Sequence, residues 1–411
     1  MERQNELLKT AFWIIGGLMF TIGLPGWYSR FAYGHADAAY GNIVVWGLWV
    51  AAYIFFIGLS AGAFLVSSLV YVFDMKRFEP IGLVALFTAL VTLLMALLSI
   101  VVDLGHMDRA WHVMVYANFK SPMAWMIYLY SFYMVILTLE LWFLLRVDCV
   151  GLARQGGRGV GLYRLLALGS ADASEERARR DRRIVKVLAT IGVPTAIMFH
   201  GGVGALFATV AARPHWHSGL FPILFLLSAL VSGGALLAVV AAVFQDGIRR
   251  HRQTVLDLGR LVVALLALDV LLQVSEFLIA FRGGIPGHTA GLRLVLAGPF
   301  KEVFWFGQLG LGTLVSLALL LLPTRKNPWA VVVACAMIVV GIFGLRLNIV
   351  IPALAVQEIH GLAAAVSTPR ITATYFPSLS EWLLTIGITG LGMLLFGLGE
   401  RLLPNSHMEE V

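Results

Sequence analysis

Ile81-Gly-Leu-Val-Ala-Leu-Phe-Thr-Ala-Leu-Val-Thr-Leu-Leu-Met-Ala-Leu-Leu-Ser-Ile-Val-Val-Asp103 runs for 23 residues with its single charge at the last position. At 1.5 Å of rise per residue an α-helix of that length crosses a hydrocarbon core about 30 Å thick. Nine more stretches share the pattern, at Leu8–Trp27, Val44–Phe73, Met123–Leu145, Ile184–Ala211, Leu220–Phe244, Val255–Phe281, Val303–Pro323, Trp329–Leu354 and Glu381–Leu402. Across all 411 residues, 59% are apolar and 13% charged, and the mean hydropathy is +0.86. This excludes a soluble globular chain, a disordered one and a nucleic-acid-binding domain. The expected fold is all-α and polytopic, with about ten transmembrane helices. The first stretch follows a charged start, lacks a small-residue cleavage site and runs on into Pro25-Gly26-Trp27, so it reads as an anchor and not as a cleaved signal.

The net charge of +7, from 30 Lys+Arg against 23 Asp+Glu, concerns topology. Basic residues resist translocation, and about twenty lie in the even-numbered connections and at the two ends, against about eight in the odd-numbered ones. The first set includes Lys76-Arg77, the Arg177–Arg183 run, Arg249-Arg250-Arg252 and Arg325-Lys326; the second includes Arg30, Arg109 and Arg213. Both termini are therefore expected in the cytoplasm of a bacterial or archaeal cell, with the chain in its inner membrane. The Gly- and Arg-rich stretch 146–183 reads as a cytoplasmic linker between a first bundle (44–145 and 184–211) and a second (220–354), with 8–27 and 381–402 as additional spans. Span 2 carries Gly58-Leu-Ser60-Ala-Gly62-Ala and span 6 carries Ser228-Ala-Leu-Val-Ser232-Gly233-Gly234-Ala. Four spans apart and equally oriented, they fit a parallel repeat or ordinary small-residue packing.

An ionisable residue inside an apolar span costs several kcal/mol unless it is paired or wetted, so such residues mark function. Asp103, His200, Glu276 and Arg346 fall in the outer part of their spans, with Glu302 and Glu381 at outer ends, which opens the expected site toward the outside. Asp269, Gln273 and Glu276, at i, i+4 and i+7, share one helical stripe and read as a polar track. Glu140 extends it inward. Arg346 with Glu276 or Glu381 would equally make a structural ion pair that fixes helix register.

Two cysteines, Cys149 and Cys335, cannot hold an iron–sulfur cluster or a four-cysteine zinc site. His215-Trp216-His217 has no third ligand nearby, so no metal is expected. A bis-histidine haem needs His on facing spans, and only His200 lies deep in one. The residue types suit an exchangeable quinone, whose carbonyls accept hydrogen bonds from His or Arg and whose two protons move through carboxylates. A proton- or ion-coupled secondary transporter would need the same carboxylates, with a helix broken at the midplane, for which Pro194 is the strongest candidate. A structural anchor would need none of them.

Trp46-Gly-Leu-Trp-Val-Ala-Ala-Tyr53 through Gly62-Ala-Phe64, Asp103-Leu-Gly105-His106, and Ser121-Pro122-Met123-Ala-Trp125 resemble segments of the polysulfide reductase NrfD-type family. So do His200-Gly-Gly-Val-Gly-Ala-Leu, Trp216-His217-Ser218, Pro222–Gly233, Arg346-Leu-Asn348 and Tyr375-Phe-Pro377-Ser378-Leu-Ser-Glu381-Trp. The resemblance covers roughly Gly41 to Pro404 and is similar to ten-span membrane subunits of periplasmic hydrogenases and sulfur-metabolising complexes. It implies a quinone- or menaquinone-reactive membrane subunit without haem or iron–sulfur cluster of its own and without catalysis alone. It further implies a ferredoxin-like iron–sulfur subunit on the outer face and, beyond it, a molybdopterin, hydrogenase or multihaem cytochrome subunit.

On that resemblance, quinone binding falls to Asp103, His106, His200, Arg346 and Trp46, with Tyr53 beside Trp46 in the apolar slot. Proton transfer falls to Asp269, Glu276, Glu381 and Glu140. His200 and Asp103 or His106 would share one head group, while Arg346 would hold the charge of Glu276 and Glu381 or donate to the quinone oxygen. The chain departs from its relatives at Gln308, where they often have a glutamate, so proton conduction across the membrane requires Glu302 to stand in for it.

Overall fold

In a computed structural model, described over residues 2–156, 160–244, 246–359, 361–366 and 370–404, the chain is helical, with no strand among the described residues. Ten long helices run up and down: α1 (Glu2–Tyr33), α2 (Leu48–Tyr71), α3 (Gly82–Asp103), α4 (Pro122–Gln155) and α5 (Glu175–Ala208), then α6 (Phe221–Val243), α7 (Ile248–Arg282), α8 (Val303–Leu321), α9 (Pro328–Ala355) and α10 (Leu379–Leu402). Among the described residues nine are long and apolar enough to cross a membrane. The tenth, α4, is 34 residues long but carries Trp125, Tyr128, Tyr130, Tyr133 and Trp142, whose polar tips lower its apolarity. The chain is a membrane protein with multiple spans.

Sequence chemistry sets the ends. Pro122 and Pro328 occupy first turns, where the missing N–H costs nothing. Ser174 and Asn327 cap α5 and α9 by accepting from Arg177 N and Trp329 N. The 146–183 stretch is largely helical, since α4 continues to Gln155, α5 begins at Glu175, and a short helix Val160–Leu166 lies between them. There the buried Arg146 and Asp181 clamp the two helices, with Arg177 3.6 Å from the same carboxylate.

Connections after α1, α3, α5, α7 and α9 gather at one end of the molecule, the odd face; the others, with the start of α1 and the end of α10, lie at the even face. α2 is the axis of the fold. Nearly all of it is buried, because its Ala, Gly and Ser positions admit neighbours on every side. It packs with α3 and α5, and α4 closes this first bundle; α6, α7, α8 and α9 form the second, joined to the first through α2, α5 and α6. At the join a Cβ on Gly62 would lie 2.0 Å from Ala229 O, and one on Gly233 would lie 2.4 Å from Gly62 C, so the two backbones touch. α1 pairs with α10 at the periphery through Gly23, Gly26, Gly387 and Gly390.

α7 kinks at His251, close to its even-face start, where the backbone leaves helical geometry. Pro194 sits inside α5 without ending it. Arg30, counted above with the odd-face connection, lies in the last turn of α1, nearly fully buried, and donates to Val102 O and Leu104 O at the end of α3. There it caps carbonyls that carry the negative end of a helix dipole. α8 winds as a π-helix over Val303–Val315, and Thr313 and Ser316 hydroxyls donate five residues back to Gln308 O and Leu311 O. Such stretches redirect a side chain at functional sites.

Candidate functional site

The stripe on α7 builds one wall of a cleft in the second bundle. Asp269, fully buried, accepts at Oδ2 from Gln273 Nε2 at 2.5 Å; Gln273 Oε1 accepts from Gln308 Nε2 at 2.9 Å; Gln308 Oε1 accepts from Asn348 Nδ2 at 2.9 Å. The π-helical winding of α8 aims Gln308 inward to bridge α7 and α9. Glu276, about two turns nearer the odd face, accepts from Ser218 Oγ at 2.9 Å. The cleft, its mouth lined by His215, Leu292 and Val295 of the odd-face connections, holds a volume of about 60 Å³ accessible to water-sized molecules. Its walls are mostly apolar, including Phe225, Phe277 and Ile349, with the polar groups converging on the floor, the usual make-up of a small-molecule site.

Arg346 forms the floor. It is fully buried, its guanidinium lies 4.5 Å from the centre of the Phe225 ring, and Nη2 donates to Ser228 Oγ at 2.7 Å. Nε and Nη1 have no hydrogen-bond partner among the described residues, and neither have Asp269 Oδ1 and Asn348 Oδ1. Buried donors are almost always satisfied, so unfilled ones beside a cleft mark where a ligand or water belongs. His200 of α5 comes to the same place: a Cβ on Gly58 would lie 3.5 Å from both Arg346 Nη2 and His200 Cε1. Neither ring nitrogen of His200 makes a hydrogen bond of ordinary geometry.

Asp103 is elsewhere. Its Oδ1 accepts from Tyr40 OH at 2.6 Å, over the odd-face end of α2. Beside it Glu381 is completely enclosed: Oε2 accepts from Ala39 N and Ser378 N, each at 2.9 Å, and Oε1 from Tyr375 OH, which also accepts from Leu48 N at 2.9 Å. Trp49 Nε1 donates to Glu381 O, and Ser378 Oγ accepts from Glu381 N to complete a capping box. Burial, then the Asp103 carboxylate, pushes the Tyr40 phenol well above its ordinary value, and burial with Glu381 does the same for Tyr375. Both stay protonated donors. Burial and the Arg30 guanidinium lower His35, whose Nε2 has no partner.

Several expectations change accordingly. Asp103 lies at the level of Gly47 and His200 at the level of Gly58, about 16 Å apart along α2, so one quinone ring cannot touch both. His106 is 69% exposed on the odd-face loop, 3.8 Å from Asp108, and reaches neither. Arg346 contacts neither Glu276 nor Glu381; its partners are Ser228 and the field of Asp269. Glu302 is exposed with Lys301 3.9 Å away, so it does not replace the missing glutamate at Gln308. Trp46 stacks on Trp216, centroids 5.8 Å apart, against Phe207 at the odd face, and Tyr53 stacks on Tyr130. Glu140 is fully buried in the first bundle with both oxygens unpartnered, away from the α7 stripe. Among the described residues no group of three His, Cys, Asp or Glu is placed to hold a metal. Tyr40 is not singled out by the sequence, and Ser228 and Asn348 stand there only inside motifs, because their contacts with Asp103, Arg346 and Gln308 come from helices distant in the chain.

Residues 38–358 match the family described as Polysulphide reductase, NrfD. A selenate reductase subunit of Mesobacillus selenatarsenatis is 36% identical over 405 residues, covering 97% of this chain and 95% of that protein. A putative dimethyl sulfoxide reductase membrane subunit of Halobacterium salinarum is 30% identical, covering 94% and 89%. The Hdr-like menaquinol oxidoreductase integral membrane subunit of Archaeoglobus fulgidus is 28% identical, covering 90% and 88%.

Proposed function

The chain belongs to the polysulphide reductase NrfD family, and from that premise we propose that it is the integral membrane subunit of a respiratory redox complex. It exchanges electrons between membrane quinone and a peripheral iron–sulfur subunit that docks on the odd face, which is then the outer face, with both termini in the cytoplasm. Relatives named as subunits of selenate reductase and of menaquinol oxidoreductase support a quinone, and a menaquinone in particular, as substrate.

The observation that carries the reading is Arg346, with two unfilled donors at the floor of an apolar cleft, His200 beside it and a carboxylate one step away. In the proposed reaction a quinone oxygen accepts from Arg346. A quinol bound there gives up two electrons to the partner and two protons to Asp269 and His200. Gln273 orients Asp269, and Glu276 passes protons on to the mouth. Asp103, Tyr40, His106 and Trp46 form the odd-face rim on which the partner seats. Glu381 holds that rim together.

Changing Arg346 to Met removes the donors while keeping volume. Quinol-linked turnover of the complex is expected to fall about 10- to 150-fold, since a charged hydrogen bond contributes about 1.5–3 kcal/mol. Arg346→Lys should recover part of it. A complex that assembles normally and oxidises quinol at the wild-type rate with Met at this position would overturn the assignment. A transporter would need a span broken near the midplane, whereas α7 is interrupted at His251, close to its even-face start.

A further inference from the structure

The even face carries a second cavity that the redox reading leaves unused. It holds about 520 Å³ between the α2–α3 connection, α4 and the start of α5. Val70, Phe143, Leu144 and Val147 make its membrane-side wall, and Lys76, Arg182, Arg183 and Lys186 stand at its rim. Most of the acid there is already spoken for. Asp181 is buried against Arg146 and Arg177, and Asp74 pairs with Lys186 at 2.7 Å. Lys76, Arg182 and Arg183 are exposed and make no ion pair among the described residues, and they share the rim with one remaining carboxylate, Glu79. Their depth is set by sequence: Arg182-Arg183 immediately precedes Ile184, where the apolar run of α5 begins, and Lys76 follows the end of α2 at Tyr71. That is the level of lipid phosphates.

We propose that this cavity binds one anionic phospholipid, its phosphate held by Lys76, Arg182 and Arg183 and an acyl chain laid along Val70, Phe143 and Leu144. A zwitterionic lipid presents a cationic head to the same three cations and is selected against. A soluble phosphate would leave the apolar wall in water.

The test uses the full-length chain in mild detergent, with dioleoyl phosphatidylglycerol, dioleoyl phosphatidylcholine and inorganic phosphate as probes. Binding is read by native mass spectrometry and protection by thermal unfolding. Phosphatidylglycerol is expected to remain bound at one per chain and to raise the melting midpoint, while phosphatidylcholine does neither. At about fivefold per cation near an anionic lipid, replacing all three by Gln should weaken retention about 100-fold. The unfolding midpoint without added lipid should stay put, because the three side chains are exposed. Equal retention of both lipids, a triple variant that keeps phosphatidylglycerol, or protection by inorganic phosphate as strong as by the lipid would each overturn the proposal. A second variant, Leu144→Glu, places a charge against the acyl chain and should lose the lipid with the cations intact; unchanged retention there also counts against it.

Discussion

Glu381→Gln separates a carboxylate that moves protons from one that holds a fold. In the structure its two oxygens accept from three donors: Ala39 N, Ser378 N and Tyr375 OH. An amide can keep its oxygen toward the two backbone N–H groups, but its NH₂ then faces Tyr375 OH. That hydroxyl already accepts from Leu48 N, so its own proton is left without an acceptor. Two charge-assisted bonds become neutral ones at about 1 kcal/mol each, and one buried donor goes unsatisfied at about 1–3 kcal/mol, for a total of about 3–5 kcal/mol. With an unfolding entropy of about 2.1 cal/mol/K per residue, the midpoint of the 411-residue chain falls by about 3–6 °C. The assay pairs thermal unfolding in detergent with quinol turnover per folded complex. The expected result is a lowered midpoint with turnover per folded complex within about twofold of wild type. An unchanged midpoint with turnover abolished would refute the reasoning and make Glu381 a proton carrier.

Three further outcomes follow from the geometry. Asp269→Asn keeps shape and the contact with Gln273 but removes the proton acceptor, so steady-state quinol oxidation should fall about 100-fold or more while quinone retention on purification is unchanged; normal turnover would place the proton route elsewhere. Gly62→Ala drives a methyl to 2.0 Å from Ala229 O, which is backbone and cannot swing aside; overpacking should cost about 1–3 kcal/mol in thermal unfolding, and no change would mean that the bundles are not in contact there. His215, in the odd-face connection at the cleft mouth, is held neutral by burial and by His288, its pKa lowered from 6.5 to about 4. Unfolded chain therefore binds a proton before folded chain does, and its contribution is intact above pH 6.5 and lost progressively as pH falls toward about 4; His215→Gln should flatten melting midpoints across that window, and an unaltered slope would remove His215 as the cause.

How much of this was readable beforehand depends on the kind of signal. Apolar runs gave the spans, since a 23-residue stretch such as Ile81–Asp103 has no other stable use in a bilayer. Spacing on one helix gave Asp269, Gln273 and Glu276 as one wall, because i, i+4 and i+7 share a face whatever surrounds them. Grouping across helices failed where depth was read coarsely. Asp103 is the last residue of α3, while His200 stands eight residues before the end of α5, about 12 Å deeper. Both count as outer half, yet they belong to different sites. Partners distant in the chain were invisible in principle. Nothing near Glu381 in sequence announces Ala39, and nothing near Asp103 announces Tyr40, because those contacts exist only once α1, α3 and α10 meet. Arg30 misled for a simpler cause: the first helix runs to Tyr33, so a residue counted as loop charge is a buried cap.

The join between the bundles bears on the direction of proton flow. Gly62 and Gly233 sit in the small-residue segments of spans 2 and 6, and each occupies the space that the other's missing side chain would need. His200 of α5 and Arg346 of α9 meet across that join, beside Gly58. In the second bundle, Asp269, Gln273 and Glu276 continue from there toward the odd face; in the first, Glu140 has no hydrogen-bond partner among the described residues. On the proposed reading, protons released beside Arg346 leave by the face on which the electron-accepting partner docks. Oxidation of quinol by that route moves no net charge across the membrane, and charge separation would require a second path through Glu140 to the even face.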